Sequence, residues 1–211
     1  MNIRPSKIVC IGRSYAAHAK ELGNAIPTRP VLFIKPPSSM TTLEKGITWN
    51  HALGQCHYEC ELSLRLDQTL SVVTDPQQAL AAVGAVTLGL DLTLRDLQTE
   101  LKGKSEPWER AKAFDGSCVL ADWIDVSDVD LNHLTYQLSL NGEVRQRGDT
   151  SLLLISIAEM LCDMSQAFTL EKGDIVMTGT PAGVGALQPK DILNMTLLTK
   201  TKEITWQTHV Y

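Results

Sequence analysis

The sequence has no run of five or six like charges, no stretch of about eighteen consecutive apolar residues and no pair of cysteines at CxxC spacing. Each absence removes a class of protein. A membrane-spanning helix needs the apolar stretch, and a solvated tail for a charged surface needs the charge run. The net charge of -5 has the wrong sign for a nucleic-acid surface, so no nucleic-acid or membrane partner is expected. Five cysteines (Cys10, Cys56, Cys60, Cys118 and Cys162) are an odd number, which suits free thiols in a reducing compartment better than a disulfide framework. Residues 1–7 contain no apolar segment of the kind that starts a secretion signal, and a cytoplasmic location is expected. Only Gly12 follows the first strand-like segment, so the GxGxxG of a dinucleotide fold is missing. There is neither a repeat nor a linker. A chain of 211 residues can bury a substantial core by itself, and residues 1–211 are expected to form one domain with a small molecule as partner.

What is present is a set of acids. Glu59 and Glu61 lie in His57-Tyr58-Glu59-Cys60-Glu61-Leu62, which reads as a strand. A period of two puts His57, Glu59 and Glu61 on one face and Cys56, Tyr58 and Cys60 on the other, where both cysteines are expected in the core. Alternating glutamates also occur on any solvated strand face. Asp91 weighs against that alternative, because it ends the apolar run Ala85-Val86-Thr87-Leu88-Gly89-Leu90, where an acid needs a partner or a metal. Carboxylates held together in a buried site require a proton or a cation. An all-oxygen set favours a hard cation, Mg²⁺ or Mn²⁺ ahead of Ca²⁺, over the nitrogen and sulfur sites typical of zinc.

The remaining pattern is many short strands with few helices. Strands are expected over 7–12, 31–35, 57–62, 85–91, 174–178, 192–198 and 203–210, with a loop over 36–42. Helices are expected over 14–22, ended by Gly23 and Asn24, and over 77–83, 96–102 and 152–164. Asn141-Gly142 between residues 136–140 and 143–147 predicts a hairpin with a type I′ turn. His18 and Glu21 stand three apart on the first helix, where the carboxylate can orient the imidazole and raise its basicity; a surface pair beside Lys20 has the same spacing. Gly179 to Gly185 offers backbone N–H groups for an anion, but lacks the Gly-Lys-Ser/Thr ending of a Walker loop and is equally a tight structural turn.

Seven segments in order carry a family resemblance: Arg13-Ser14-Tyr15-Ala16-Ala17-His18, Pro30-Val31-Leu32-Phe33-Ile34-Lys35-Pro36, His57 to Leu62, Leu90-Asp91-Leu92-Thr93-Leu94-Arg95-Asp96-Leu97-Gln98, Pro107-Trp108-Glu109-Arg110-Ala111-Lys112-Ala113-Phe114-Asp115, Asn141-Gly142-Glu143-Val144-Arg145-Gln146, and Gly173 to Gly185. Together they resemble the fumarylacetoacetate hydrolase family on its acylpyruvase-like branch. The resemblance implies a β-rich α+β fold around a rolled sheet with few short helices, a homodimer, and one divalent metal per subunit on Glu59, Glu61 and Asp91. It further implies that Arg13, Lys35, Gln98, Lys112 and Thr180 line a pocket for a small 2-oxo acid, and that a lid within residues 1–45 carries the His18 and Glu21 dyad. The activity implied is hydrolysis of acylpyruvates or related 2,4-dioxo acids, including fumarylpyruvate, to pyruvate and a carboxylic acid. Water deprotonated by His18, itself held by Glu21, would attack, and Lys112 would meet the negative charge that develops. Oxaloacetate decarboxylation through the same enolate is the alternative, and a non-catalytic metal or oxo-acid binder is the alternative of another class. The sequence departs from the family pattern at Ser14, where Asn is usual, at Ser63-Leu64-Arg65-Leu66, a less apolar strand end, and at Lys190, where Gly is usual.

Overall fold

Strands dominate the computed structural model, which describes residues 4–23, 25 and 28–211. In chain order these residues form β1 (Ile8–Gly12), α1 (Ala16–Glu21), β2 (Val31–Lys35), β3 (Met40–Thr42), β4 (Cys56–Tyr58), β5 (Cys60–Leu66), α2 (Pro76–Ala81), β6 (Val83–Asp91), β7 (Thr93–Leu94) and α3 (Arg95–Gly103). They continue with α4 (Glu109–Lys112), β8 (Cys118–Leu120), β9 (Ile124–Asp125), β10 (Thr135–Leu140), β11 (Glu143–Asp149), α5 (Ile157–Ala167), β12 (Ile175–Met177), β13 (Gly185–Ala186), β14 (Ile192–Leu198) and β15 (Glu203–His209). The main sheet runs β2-β1-β12-β5-β6-β8-β3, with β9 also paired to β6. A second sheet runs β11-β10-β14-β15, and a small third one β13-β4-β7.

The core follows from the two longest apolar runs. β5 and β6 pair antiparallel at the middle of the main sheet, and nearly every residue of both is buried, as expected of strands covered on two faces. Strands of the second sheet alternate instead: in β10, Tyr136, Leu138 and Leu140 turn inward while the residues between them are more open. The hairpin forms as expected, with φ of 53° at Asn141 and 84° at Gly142.

Two features of the main sheet place the chemistry. β1 and β12 are parallel, with Cys10 opposite Met177, so the segments leaving their C-terminal ends, Arg13 onward and Gly179 onward, emerge side by side. β5 runs antiparallel to β12 with Ser63 opposite Met177, which sets Glu61 next to Gly179. Asp91 ends β6 at the same edge, since Cys60 pairs with Leu90 and Glu61 with Gly89.

Several expected elements are corrected. The strand over 57–62 is two strands in different sheets, broken at Glu59, because the Cys60 N–H turns to the Gln146 side chain at 2.9 Å instead of a strand neighbour. His57 consequently pairs with Thr93 and Ala186 in the third sheet and does not join the acids. The loop over 36–42 contains a 3₁₀ turn and β3. The first helix is shortened to Ala16–Glu21; Gly23 ends it with φ of 64°, and Asn24 lies outside the described residues. The long helix begins at Ile157, where Ser156 and Glu159 form a reciprocal capping box. Lys190, at the position where Gly is usual, has φ of 74°, a left-handed conformation that glycine adopts without steric cost.

Candidate active site

Glu59, Glu61 and Asp91 come together at that edge of the sheet, each offering an oxygen within 4.8 Å of the other two. All three are buried, Glu61 and Asp91 to 1% exposure. Charge this dense and this dry must be compensated. Lys112 supplies most of the compensation: its Nζ donates to Glu59 Oε2 at 2.7 Å, Asp91 Oδ2 at 2.6 Å and Thr93 Oγ1 at 2.7 Å. Arg95 pairs with Glu59 and donates to Gln98 Oε1 at 2.8 Å. Lys35 Nζ sits 2.8 Å from Asp91 Oδ1, yet its hydrogen bonds go to Ser117 and to the Lys112 carbonyl, so Asp91 Oδ1 receives an ion pair without an aligned donor.

The three acids therefore differ. Burial opposes ionisation of Glu59, but Lys112, Arg95 and His18 outweigh it and hold its carboxyl well below the usual range. Glu61 goes the other way, pushed well above its ordinary value by burial and by the charges of Asp91 and Glu59; its opposing aids are the more distant Lys112 and the Gly179 N–H, which donates to Oε2 at 2.8 Å. Burial likewise opposes the Lys112 charge, and Asp91 and Glu59 more than restore it. A proton on Glu61 is what a cation would replace. The donor set of three carboxylates, with one buried oxygen lacking an aligned donor, fits a hard divalent ion.

Helix α1 borders the same cavity through His18. His18 is buried, and its Nδ1 lies 3.0 Å from Glu21 Oε2; with Nδ1–H directed at the carboxylate, Nε2 is left as the acceptor nitrogen. Glu21 Oε1 accepts from the Gly183 N–H at 2.9 Å. The dyad joins a buried imidazole to an exposed carboxylate, and the glycine loop takes side-chain carboxyl groups of the chain itself: Glu61 at Gly179 and Glu21 at Gly183. Both glycines have positive φ, and a Cβ on Gly179 would meet Ser14 Oγ at 1.9 Å. Ser14 uses that proximity to donate to the Thr178 carbonyl at 2.8 Å, tying the segment before α1 to the loop.

Every expected site residue reaches this place. Arg13, His18, Gln98, Lys112 and Thr180 line a cavity with the three acids, while Lys35 lies behind Asp91 and Glu21 behind His18. The expectations did not assign roles to Arg95, Thr93, Ser117 and Gln146, nor to Lys102 and the aromatic wall of Phe33 and Trp108. Arg95 was legible, being four residues beyond Asp91 at the start of a helix. Gln146 was not, because it acts across 86 residues on Cys60 and also donates to Thr180 Oγ1 at 2.7 Å. The cavity is small, about 40 Å³. A larger groove of about 940 Å³, lined by Arg4, Glu44, Arg65, Trp123 and Trp206, lies elsewhere and contains none of these acids. Chemistry follows the converging polar groups, not the volume.

Comparison with known proteins agrees with this geometry. Residues 7–206 match the family described as fumarylacetoacetate (FAA) hydrolase, C-terminal. The chain belongs to the fumarylacetoacetate hydrolase family. It is 43% identical over 193 residues to oxaloacetate tautomerase YcgM of Escherichia coli, covering 90% of this chain and 88% of that protein. It is 37% identical over 189 residues to a mitochondrial oxaloacetate decarboxylase of Dictyostelium discoideum, covering 89% and 86%. The crystal structure of fumarylpyruvate hydrolase from Pseudomonas aeruginosa in complex with Mn²⁺ and pyruvate superposes with a TM-score of 0.85 at 32% identity, covering 97% of this chain and 90% of that one. The expected rolled-sheet fold with few short helices is therefore the fold of this chain. The five cysteines are free, four of them buried, and burial raises the thiol pKa at Cys10 and Cys60, which leaves them poor nucleophiles. No helix among the described residues is long and apolar enough to cross a membrane.

Proposed function

We propose that this chain is a divalent-metal-dependent enzyme that acts on oxaloacetate through its enolate, interconverting the keto and enol forms and releasing CO₂ from C4. The observation that carries this reading is the buried triad of Glu59, Glu61 and Asp91 lying in one cavity with Lys112 and the His18–Glu21 dyad. The names of its tautomerase and decarboxylase relatives support the choice of oxaloacetate over the acylpyruvates of the first expectation.

Glu59, Glu61 and Asp91 would hold an Mg²⁺ or Mn²⁺ ion, which would supply Lewis acidity to the substrate. The chain's own groups do the rest. In the keto form, His18 Nε2 takes a proton from C3, the C–H electron pair becomes the C2–C3 double bond, and the positive charge of Lys112 stabilises the oxygen on C2 as it gains charge. The enolate then takes a proton on its C2 oxygen to give the enol; in the reverse direction that proton leaves the oxygen and His18 returns one to C3. In decarboxylation the C3–C4 bond supplies the same electron pair, CO₂ leaves, and C3 then accepts a proton. Glu21 keeps Nδ1 protonated throughout, and Gly183 holds Glu21. Arg13, Lys35, Gln98 and Thr180 orient the substrate or the acids. The resemblance also supports a homodimer, one catalytic domain over residues 1–211 and one cation per subunit; the free thiols support a reducing, cytoplasmic compartment.

A second reading, hydrolysis of acylpyruvates, is favoured by the dyad, which is suited to deprotonating water, and by the fumarylpyruvate hydrolase neighbour. One series of assays tests both. Decay of the oxaloacetate enol, pyruvate release from oxaloacetate and acetylpyruvate hydrolysis are followed with Mg²⁺ or Mn²⁺ in wild type, His18→Ala and Glu21→Gln. Tautomerisation, which must move a proton at C3, is expected to fall by roughly 10² to 10⁴ in each variant, and decarboxylation much less, because C–C cleavage needs no base. A parallel fall of both activities contradicts the assignment of His18 as the proton carrier. Acetylpyruvate turnover exceeding that of oxaloacetate favours the second reading.

A further inference from the structure

We propose that Lys102, together with Arg13, forms a subsite at the mouth of the cavity for a second carboxylate, which makes the pocket selective for dicarboxylic 2-oxo acids. The inference rests on the proposed function and adds the residue that would enforce it.

Lys102 stands on the same face of α3 as Arg95 and Gln98, at seven and four residues' spacing, and all three line the cavity. It is half-buried, and its Nζ lies 4.8 Å from the centre of the Trp108 ring. Among the described residues it forms neither an ion pair nor a side-chain hydrogen bond, in contrast to Lys104 two residues on, which pairs with Glu100 in solvent. Burial, then Arg95, Arg13 and Lys112, lower its pKa to about 8. An aromatic ring holds an ammonium in place without neutralising it. Arg13 adds a second unmatched cation: its Nε is buried without a partner, on a residue held at φ of 59°. Arg95, in contrast, is already committed to Glu59 and Gln98.

The charge balance gives the ligand class. With a divalent ion on the three acids, the groups around the cavity carry a clear excess of positive charge, and the single carboxylate of a 2-oxo acid directed at that ion leaves Lys102 and Arg13 unmatched. A four-carbon acid with a carboxylate at its far end supplies the missing anion. A monocarboxylic acid would leave both half-buried cations without a partner.

The test uses the full chain loaded with Mn²⁺ and the variant Lys102→Met, which keeps an unbranched stem against Trp108 and removes the charge. The Michaelis constant for oxaloacetate is expected to rise about 10- to 100-fold, the range for loss of a hydrogen bond to a charged group, with kcat changing by less than about threefold. Inhibition by oxalate, which has no group beyond its chelating pair, is expected to stay unchanged, and Lys102→Arg is expected to recover most of the loss. Wild type should also prefer oxaloacetate over 2-oxobutyrate, which carries a methyl where oxaloacetate has its C4 carboxylate. An unchanged Michaelis constant, an equal loss for oxalate, or no preference over 2-oxobutyrate in a wild type that binds oxalate overturns the subsite alone. A wild type that binds no oxalate in calorimetry with Mn²⁺ overturns the proposed function and the subsite with it.

Discussion

Glu61→Gln is expected to lose divalent-metal binding and metal-dependent activity while leaving the metal-free protein at least as stable as wild type near neutral pH. Glu61 is the acid without a cation of its own, raised well above the ordinary carboxyl range by burial and by Asp91 and Glu59. Glutamine mimics its protonated form and can still accept from the Gly179 N–H. The sign follows from linkage. A carboxyl whose folded pKa is raised gives stability that is fully present below its unfolded value, about 4.3, and lost as pH rises through the folded value. Wild type should therefore lose stability relative to the variant between mildly acidic and neutral pH. Metal reverses the order, because the variant lacks one of three charged ligands, and even the loss of a partner behind a ligand costs 10- to 100-fold or so in affinity. Calorimetric titration with Mn²⁺ and thermal unfolding with and without it read both effects. Wild-type affinity in the variant would remove Glu61 from the metal site.

Lys112→Met is expected to produce the largest stability change. Lys112 is buried and bonds Glu59, Asp91 and Thr93 at once, so truncation leaves two buried carboxylates with only Arg95, Lys35 and one another. Removing one partner of a buried ion pair costs about 3–5 kcal/mol. In the metal-free protein the melting temperature should fall accordingly, and saturating Mg²⁺ or Mn²⁺ should restore part of the loss by placing positive charge on the same oxygens. Turnover should stay low in the restored protein, since the positive charge beside the C2 oxygen is gone. An equal loss of stability with and without metal contradicts the view that lysine and metal compensate the same acids.

Asp91 and the acids beside it were legible from local pattern, whereas Lys35 and Lys112 came only from the family resemblance, and the spacing of His18 and Glu21 alone also fits a surface pair. An acid at the end of a buried apolar strand, as at Asp91, has few other uses. The hairpin was legible for the same local reason, Asn141-Gly142 adopting the turn that this pair favours. Legibility ended where a distant group decided the local structure. The alternation from His57 to Glu61 suggested one strand, and the Gln146 side chain splits it by taking the Cys60 N–H. The split puts Glu59 at a junction of two sheets, where its carbonyl accepts the Asp91 N–H at 2.9 Å and its carboxylate can turn toward Lys112 and Arg95. The start of the long helix was misplaced for a different reason: Leu152 to Leu154 continue the apolar run, and the stronger signal was the cap at Ser156 and Glu159. The unmatched charge of Lys102 could not be read from spacing, since an identical lysine on an exposed face would pair with solvent.

Exchange of the C3 protons of oxaloacetate in D₂O, followed by proton NMR, tests the enolate account most directly, because tautomerisation and decarboxylation share that carbon. The account predicts exchange faster than with the same concentration of Mg²⁺ or Mn²⁺ in buffer, dependent on both protein and cation, abolished in Glu61→Gln and reduced in His18→Ala. Exchange no faster than the cation alone produces, at protein concentrations that bind oxalate, would contradict it.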